Sequence, residues 1–246
     1  MQINRYKSYE HMSQAVANLV VQQVQRKPDS LICFPSGESP TAMLRILVKL
    51  AEDGKVDFNH AHFVALDEWV GLDKNNAGSC SYYLNEHFFS QVDLSPTQIR
   101  FFDATAPDLD RECQKMNDYI SRLGGLDIMI VGIGMNGHIG LNEPGAIFKA
   151  YANHSALDPV TVDVAQKYFK QQPHLSKGIT LGLGHLAEAK TPVLMASGEK
   201  KADIIARALN GPVSSSVPAS IFQTLPNAQV FLDEDAAAKL FSDQEC

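Results

Sequence analysis

A histidine and a glutamate, His138 and Glu143, lie five positions apart in a loop near the middle of the chain. The apolar run Ile128–Val131 before them predicts a buried parallel strand, which leads into a glycine-rich turn. Pro144 and Gly145 then stop any helix from forming. Because α/β proteins place their chemistry on loops at the carboxyl ends of strands, this pattern predicts the centre of an active site.

A second candidate for acid–base chemistry follows the predicted strand at residues 62–66. Asp67 and Glu68 stand at the end of that strand, and two adjacent carboxylates there could provide a general base. The alternative interpretation is that Asp67 only caps the next turn.

A turn of mostly small residues, 35–40, lies between the predicted strand Leu31–Phe34 and a predicted helix at residues 41–51. This arrangement directs backbone N–H groups and the positive end of the helix dipole at an anion, so it predicts a site for a substrate phosphate. An ordinary capped turn is the alternative. Lys201 lies at another strand-to-helix junction and could meet the same anion, although a surface lysine is the more common case.

The elements that must hold these residues alternate between strand and helix. Further helices are predicted at residues 9–25, 79–89, 108–123 and 202–209 and as a short terminal helix, and further strands at 98–102, 178–182, 191–195 and 228–232. We therefore expect an α/β fold with a mostly parallel central sheet flanked by helices on both faces, Rossmann-like and doubly wound. We expect one domain over residues 1–246, and the long connection at 146–176 could cover a pocket.

Composition excludes several classes of protein. With 246 residues, 45% of them hydrophobic, the chain can bury a large core. The formal net charge of −7 argues against nucleic acid or an anionic membrane as the main partner, while a small anionic substrate would need a local positive site. The four widely spaced cysteines, without a CxxC pair, indicate reduced thiols of a cytoplasmic protein and no zinc site. No signal peptide or membrane span is apparent.

The turn Gly132-x-Gly134-x-x-Gly137 satisfies the dinucleotide-binding fingerprint and follows a strand. That fingerprint should open a long helix, which Pro144 prevents within two turns. Asp158 and Asp163 lie at about the spacing of the acidic residue, but no strand is apparent before either. Nicotinamide binding is therefore disfavoured.

Four motifs in order carry a resemblance to a known family: PSGESP at 35–40, LDEW at 66–69, GIGMNGHIGLNEPG at 132–145 and GITLGL at 178–183. Together they resemble the glucosamine-6-phosphate deaminase/isomerase family. The residues of these motifs are most similar to those of its galactosamine-6-phosphate deaminase/isomerase branch.

The resemblance implies an aldose–ketose isomerisation coupled to loss of ammonia, with no metal and no organic cofactor. Galactosamine 6-phosphate or glucosamine 6-phosphate would become tagatose or fructose 6-phosphate. The family's proton-shuttling aspartate matches Asp67, its ring-opening histidine matches His138, and the carboxylate supporting that histidine matches Glu143. Its phosphate-binding residues match Ser36, Gly37, Glu38, Ser39, Lys167 and Lys201. This agrees with the residue types, because one carboxylate can move a proton between adjacent carbons and an imidazole exchanges protons near neutral pH.

Three positions depart from the pattern of many relatives. Asn136 replaces an aspartate and cannot act as a base, so we expect it to orient its neighbours by hydrogen bonding. Lys167 replaces an arginine, and a lysine cannot make the two parallel hydrogen bonds to a phosphate that a guanidinium group can make. Glu38 stands where a small residue is usual, and it would repel a phosphate unless its side chain points to solvent.

Two other functions fit a similar architecture. A sugar-lactone phosphate hydrolase, such as a 6-phosphogluconolactonase, would share the glycine-rich turn but lack the run Asn142-Glu143-Pro144. A sugar-phosphate sensor of a transcription regulator would need a helix-turn-helix, and the roughly thirty residues before the first predicted strand are too few and not basic. The sequence leaves the oligomeric state and the configuration at C4 of the sugar open.

Overall fold

The structure, a computed structural model, describes residues 1–171 and 173–240. Its strands are β1 (Gln2–Tyr6), β2 (Leu31–Phe34), β3 (His62–Ala65), β4 (Asp67–Trp69), β5 (Ile99–Arg100), β6 (Ile128–Val131), β7 (Asn153–Ala156), β8 (Lys177–Thr180), β9 (Thr191–Ala196) and β10 (Gln229–Asp233). Seven of them form a parallel sheet in the order β1-β10-β9-β6-β2-β3-β5. β4, β8 and β7 form a smaller antiparallel sheet in that order.

The described residues form seven α-helices: α1 (Tyr9–Arg26), α2 (Thr41–Glu52), α3 (Cys80–Leu84), α4 (Leu109–Arg122), α5 (Pro159–Ala165), α6 (Leu183–Glu188) and α7 (Ala202–Asn210). Side chains that accept from the first turn fix several of their starts, as Ser8 does for α1 and Asp108 does for α4. α2 lacks such a cap, because Pro40 precedes it.

The central strands are apolar on both faces, as the uninterrupted runs in the sequence predict. In β2, Leu31 and Cys33 lie in one core, while Ile32 and Phe34 lie in the other. Successive side chains of a strand point to opposite faces, so each strand contributes to two cores. α1 and α2 cover one face, and α4, α6 and α7 cover the other. The predicted α/β class with a mostly parallel sheet between helical layers is confirmed.

Several predicted elements were wrong in extent. The first strand is β1, not the strand at residues 31–34. Its sequence QINRY is half polar, and Ile3 and Tyr6 pack against the two cores. Residues 79–89 are not one α-helix: α3 ends at Leu84 and continues as a π-helical turn over Asn85–Phe89. Residues 234–240 form turns rather than a terminal helix, and residues beyond 240 lie outside the described part.

The glycine-rich loop after β6 opens no helix. Residues 132–152 form turns and an isolated bridge between Ile139 and Asn142. Gly137 has a φ of 92°, and a Cβ there would lie 2.8 Å from the side chain of Val217. The dinucleotide fingerprint therefore lacks the helix that it requires.

Three cysteines, Cys33, Cys80 and Cys113, are buried and form no disulfide with one another. Cys246 lies outside the described residues. Among residues 1–171 and 173–240, no helix combines the length and the apolar character needed to cross a membrane.

A buried carboxylate ties together the amino ends of the central strands. Asp127, before β6, accepts hydrogen bonds from the Nζ atoms of Lys27 (2.9 Å) and Lys190 (2.8 Å) and from the backbone N–H of Leu31 (2.9 Å). Burial raises the pKa of Asp127, but these hydrogen bonds outweigh it and the net pKa is lowered.

We expect Asp127→Ala to lower the free energy of unfolding by about 2 kcal/mol, because it removes hydrogen bonds to a charged acceptor. Since the folded-state pKa is lowered, this contribution is present above the ordinary aspartate pKa and is lost as the pH falls below about 4. Urea denaturation at neutral and acidic pH measures both effects. Asp29→Ala is the matched control, because Asp29 is 72% exposed and pairs with the same Lys27 at 3.5 Å. Equal losses in the two variants would contradict the prediction.

Candidate active site

The candidate site lies at the carboxyl ends of four neighbouring strands, β9, β6, β2 and β3. After β2 the chain passes to α2 on one face of the sheet, whereas after β9 it passes to α7 on the other. Such a change of direction leaves a crevice at the strand ends. A cavity of about 1360 Å³ occupies this place. The loops at residues 35–40, 132–141 and 197–201 line it, together with Asp67 and parts of a cover segment that we define as residues 157–169.

Asp67 begins β4 and is buried beside the central loop. It lies opposite Thr180 of β8 in the small sheet. A Cβ placed on Gly140 would come within 3.3 Å of Asp67 Oδ2 and 2.5 Å of Thr180 Oγ1, so the absence of a side chain lets the loop approach the carboxylate. Burial, and then the charge of Glu68, raise the pKa of Asp67 to about 7, while a hydrogen bond from Cys80 opposes them. A carboxyl group with this pKa can accept and release protons near neutral pH.

Glu68 does not share this environment. Its carboxylate accepts hydrogen bonds from the backbone N–H groups of Trp69, Cys80 and Ser81 and from the Ser81 hydroxyl, at 2.7 to 2.9 Å. It therefore anchors the start of α3 to β4. Of the two adjacent carboxylates, Glu68 is therefore the less suited to act as a general base, because its oxygens already accept hydrogen bonds from these donors.

His138 lies in a hydrogen-bonded cluster within the central loop. Its Nδ1 is 3.2 Å from Glu143 Oε2, and its backbone N–H donates to Asn136 Oδ1 at 3.1 Å. Asn136 Nδ2 donates to the same Glu143 oxygen at 2.9 Å. Burial raises the pKa of Glu143, but hydrogen bonds from His138, Asn136 and Thr161 outweigh it and lower the net pKa. Glu143 is therefore an ionised acceptor, which favours the tautomer of His138 that carries its proton on Nδ1.

The other ring nitrogen of His138 is the one available for chemistry. A Cβ on Gly134 would lie 2.2 Å from Nε2, so this glycine makes room for the imidazole at the cavity wall. With Nδ1 protonated, a neutral imidazole presents the lone pair of Nε2 as an acceptor.

The predicted phosphate turn opens onto the same cavity. Ser36, Gly37, Glu38 and Ser39 line it beside the uncapped start of α2. No oxygen in the described part of the chain accepts from the backbone N–H groups of Gly37, Glu38 or Ser39. Gly37 has a φ of 101°, and a Cβ there would lie 3.3 Å from the hydroxyl of Tyr168 in the cover segment. These free donors and the helix start are suited to an anion.

Two lysines lie near this turn, and one of them is paired with a carboxylate of the turn itself. Lys167 Nζ lies 2.8 Å from Glu38 Oε2, so Glu38 does not simply point away into solvent, although its side chain is 73% exposed. Burial lowers the pKa of Lys167, but the hydrogen bond to Glu38 outweighs this and the net pKa is raised. Burial, and then the charge of Lys167, lower the pKa of Lys201 to about 8, while Glu38 opposes them. Lys201 Nζ donates to the carbonyl of Ile133 at 2.6 Å.

Eight of the ten predicted residues line this cavity, and the other two, Asn136 and Glu143, adjoin it through hydrogen bonds to His138. The structure also adds residues that the sequence did not indicate. Thr161 lies 2.9 Å from His138 Nδ1, and Tyr168 lies over the phosphate turn. No motif marks either residue, because both reach the site only through the packing of the cover segment. Among the described residues, no group of three or more His, Cys, Asp or Glu is arranged to hold a metal ion.

Comparison with known proteins identifies the family. Residues 4–231 match the family described as glucosamine-6-phosphate isomerases and 6-phosphogluconolactonases. This chain belongs to that family. The glucosamine-6-phosphate deaminase of Clostridium novyi is 34% identical to it over 241 residues, 98% of this chain and 100% of the relative. That of Thermoanaerobacter pseudethanolicus is 32% identical over 232 residues, 94% of this chain and 92% of the relative. The resemblance to the glucosamine-6-phosphate deaminase/isomerase family is confirmed.

Solved structures of family members agree with the fold. One, described as a monomeric glucosamine-6-phosphate deaminase, has a TM-score of 0.94 and 31% identity, and the match covers 97% of this chain and 100% of that one. The 6-phosphogluconolactonase of Trypanosoma brucei has a TM-score of 0.78 at 16% identity, covering 97% and 98%. At that identity the likeness shows the shared fold alone.

Proposed function

We propose that this protein is an amino-sugar 6-phosphate deaminase/isomerase, which converts a 2-amino-2-deoxyhexose 6-phosphate to the ketohexose 6-phosphate and ammonia. The observation that carries the proposal is one cavity lined by a buried carboxyl group of near-neutral pKa, an oriented imidazole and an uncapped helix start beside Lys201. The full-length glucosamine-6-phosphate deaminase relatives support it.

In the proposed reaction, His138 opens the sugar ring. Nε2 accepts the proton of the anomeric hydroxyl and returns it to the ring oxygen as the C1–O5 bond breaks. Glu143 stabilises the transient imidazolium, because its carboxylate is ionised and Oε2 lies 3.2 Å from Nδ1. Asn136 fixes the relative position of His138 and Glu143, because it forms one hydrogen bond with each of them.

Asp67 then moves the proton that converts aldose to ketose. Its carboxylate removes the proton from C2 of the open chain and delivers it to C1. The carbonyl oxygen O1 gains a proton and the amine nitrogen loses one, so the product has a hydroxymethyl group at C1 and an imine at C2. Water adds to that carbon, and the C–N bond breaks to release ammonia. Lys201, Lys167 and the N–H groups of the 36–39 turn neutralise the phosphate in a protein of net charge −7.

An ammonia-release assay with galactosamine 6-phosphate and glucosamine 6-phosphate tests the proposal. We expect ammonia and the matching ketose phosphate in equal amounts from at least one of them. A higher kcat/KM for the galacto sugar would support the branch that the motifs resemble, and a higher value for the gluco sugar would assign the other. The proposal fails if neither substrate releases ammonia. Hydrolysis of 6-phosphogluconolactone, measured in parallel, tests the lactonase alternative.

The segment before β2 does not form the helix-turn-helix that the sensor alternative would need. The segment before β2 forms β1, which pairs with β10, and α1, which packs into a core of the sheet. These elements are therefore part of the sheet architecture rather than a helix-turn-helix.

We expect Glu38→Gln to lower KM for the phosphate substrate by up to about fivefold, because a solvent-exposed ion pair contributes about 1 kcal/mol or less and here competes with the ligand for Lys167. Steady-state kinetics measure it. Glu52→Gln is the matched control, since Glu52 pairs with Lys49 on a helix surface at 3.8 Å. A raised KM in Glu38→Gln would mean that Glu38 aids binding instead.

A further inference from the structure

The imidazole of His138 has a second hydrogen-bond partner that is closer than Glu143. Thr161 Oγ1 lies 2.9 Å from Nδ1, compared with 3.2 Å for Glu143 Oε2. In the tautomer that carries its proton on Nδ1, the ring N–H can donate to this hydroxyl oxygen. The threonine therefore takes a direct part in fixing this ring.

Thr161 can accept from His138 and donate to Glu143 at the same time. A hydroxyl has one proton and two lone pairs, and hydrogen bonding by Thr161 is among the contacts that hold Glu143 ionised. Asn136 Nδ2 lies 3.5 Å from the same hydroxyl oxygen. The hydroxyl therefore lies between the imidazole of His138 and the carboxylate of Glu143. Asn136, which also contacts both residues, is neutral and adds no charge to the pair.

The position of Thr161 is set by a well-anchored part of the cover segment. The residue is 5% exposed and lies in the first turn of α5, where Asp158 accepts from the N–H of Val160 and Pro159 occupies the first helical position. Ala165, one turn further on, is buried in a small cluster with Trp69 and Leu141. These contacts hold the hydroxyl against the ring.

We propose that Thr161 is a positioning residue for the ring-opening step: its hydroxyl keeps the proton of His138 on Nδ1 and the lone pair of Nε2 directed at the substrate. This inference rests on the proposed function, and Thr161 itself touches no reacting atom. Because α5 runs on into Lys167 and Tyr168, the same segment that orients the imidazole also borders the phosphate turn.

Thr161→Val tests the inference, because valine has the shape of threonine and lacks only the hydroxyl. We expect kcat to fall about 10- to 100-fold with KM changed about twofold or less, as for loss of one hydrogen bond to a group that becomes charged. Thr161→Ser retains the hydroxyl and should recover kcat to within about threefold of wild type. Thr105→Val, at a threonine that bonds only Asp103 in an exposed turn, is the matched control and should leave kcat unchanged.

A second readout reports the imidazole without any substrate. In ¹⁵N NMR of the neutral imidazole, wild type and Thr161→Ser should show His138 protonated at Nδ1, whereas Thr161→Val should show a mixture of tautomers or a weakened Nδ1–H bond. Unchanged kcat together with an unchanged tautomer in Thr161→Val would overturn the inference, as would equal losses in the serine and valine variants. If wild type releases no ammonia, the proposed function fails, while the NMR comparison still decides whether Thr161 orients His138.

Discussion

Asp67→Asn is expected to lower kcat by about a thousandfold, because it removes the only carboxylate proposed to carry a proton between C2 and C1. KM should stay within about threefold, since asparagine has the same shape and the phosphate contacts lie on other residues. Steady-state ammonia release, and solvent-deuterium exchange at C1 of the product, measure the loss. Asp163→Asn is the matched control, because Asp163 lines the same cavity but is exposed. Near wild-type turnover in Asp67→Asn would remove this residue from the mechanism.

The same variant should be more stable than wild type above about pH 7. The pKa of Asp67 is raised to about 7, so folding favours the protonated form. The stability that this provides is complete below the ordinary aspartate pKa, near pH 4, and is lost as the pH rises through about 7. Asparagine stays neutral, so we expect a gain on the order of 4 kcal/mol in alkaline solution that vanishes near pH 4. A less stable variant would mean that the loss of activity reflects misfolding.

The pH dependence of catalysis follows from the same ionisation. The base must be ionised, so kcat/KM should rise with pH through about 7 and then level off until another group titrates. A profile that is already flat well below this pH would show that burial does not hold the proton on Asp67.

Lys201→Gln is expected to raise KM for the phosphate substrate by about 10- to 100-fold, as for loss of a charged hydrogen bond of 1.5–3 kcal/mol. The Nζ atom lies at the cavity and donates to the Ile133 carbonyl, so its charge is held in place rather than extended into solvent. Its lowered pKa, about 8, also predicts that affinity for inorganic phosphate decreases as the pH rises above that value. Glutamine would abolish this dependence.

Lys200→Gln provides the control for Lys201. The neighbouring lysine is exposed at the rim of the cavity, and its removal changes the net charge equally. We expect its effect on KM to stay within about threefold and to disappear at high salt. Equal effects of the two substitutions would indicate a diffuse electrostatic contribution and no specific phosphate contact.

The sequence alone determined the parts of this protein that are local in the chain. Runs such as Ile128–Val131 specify strands buried on both faces, because only a parallel sheet between helical layers buries every residue of such a run. Asn136, His138 and Glu143 lie in one glycine-rich loop, so their proximity followed from their spacing. β1 and the terminal turns were missed because their patterns are short and half polar.

Only the tertiary structure decided which of two adjacent carboxylates faces the cavity. Alternation along β4 sends Asp67 and Glu68 to opposite sides, and the pairing of β4 with β8 determines which side is the cavity. Contacts between distant parts of the chain could not be predicted from the sequence either: Thr161 is 23 residues from His138, and Lys167 is 129 residues from Glu38. Such contacts depend on how α5 packs against the sheet, and hydrophobic periodicity carries no information about that docking.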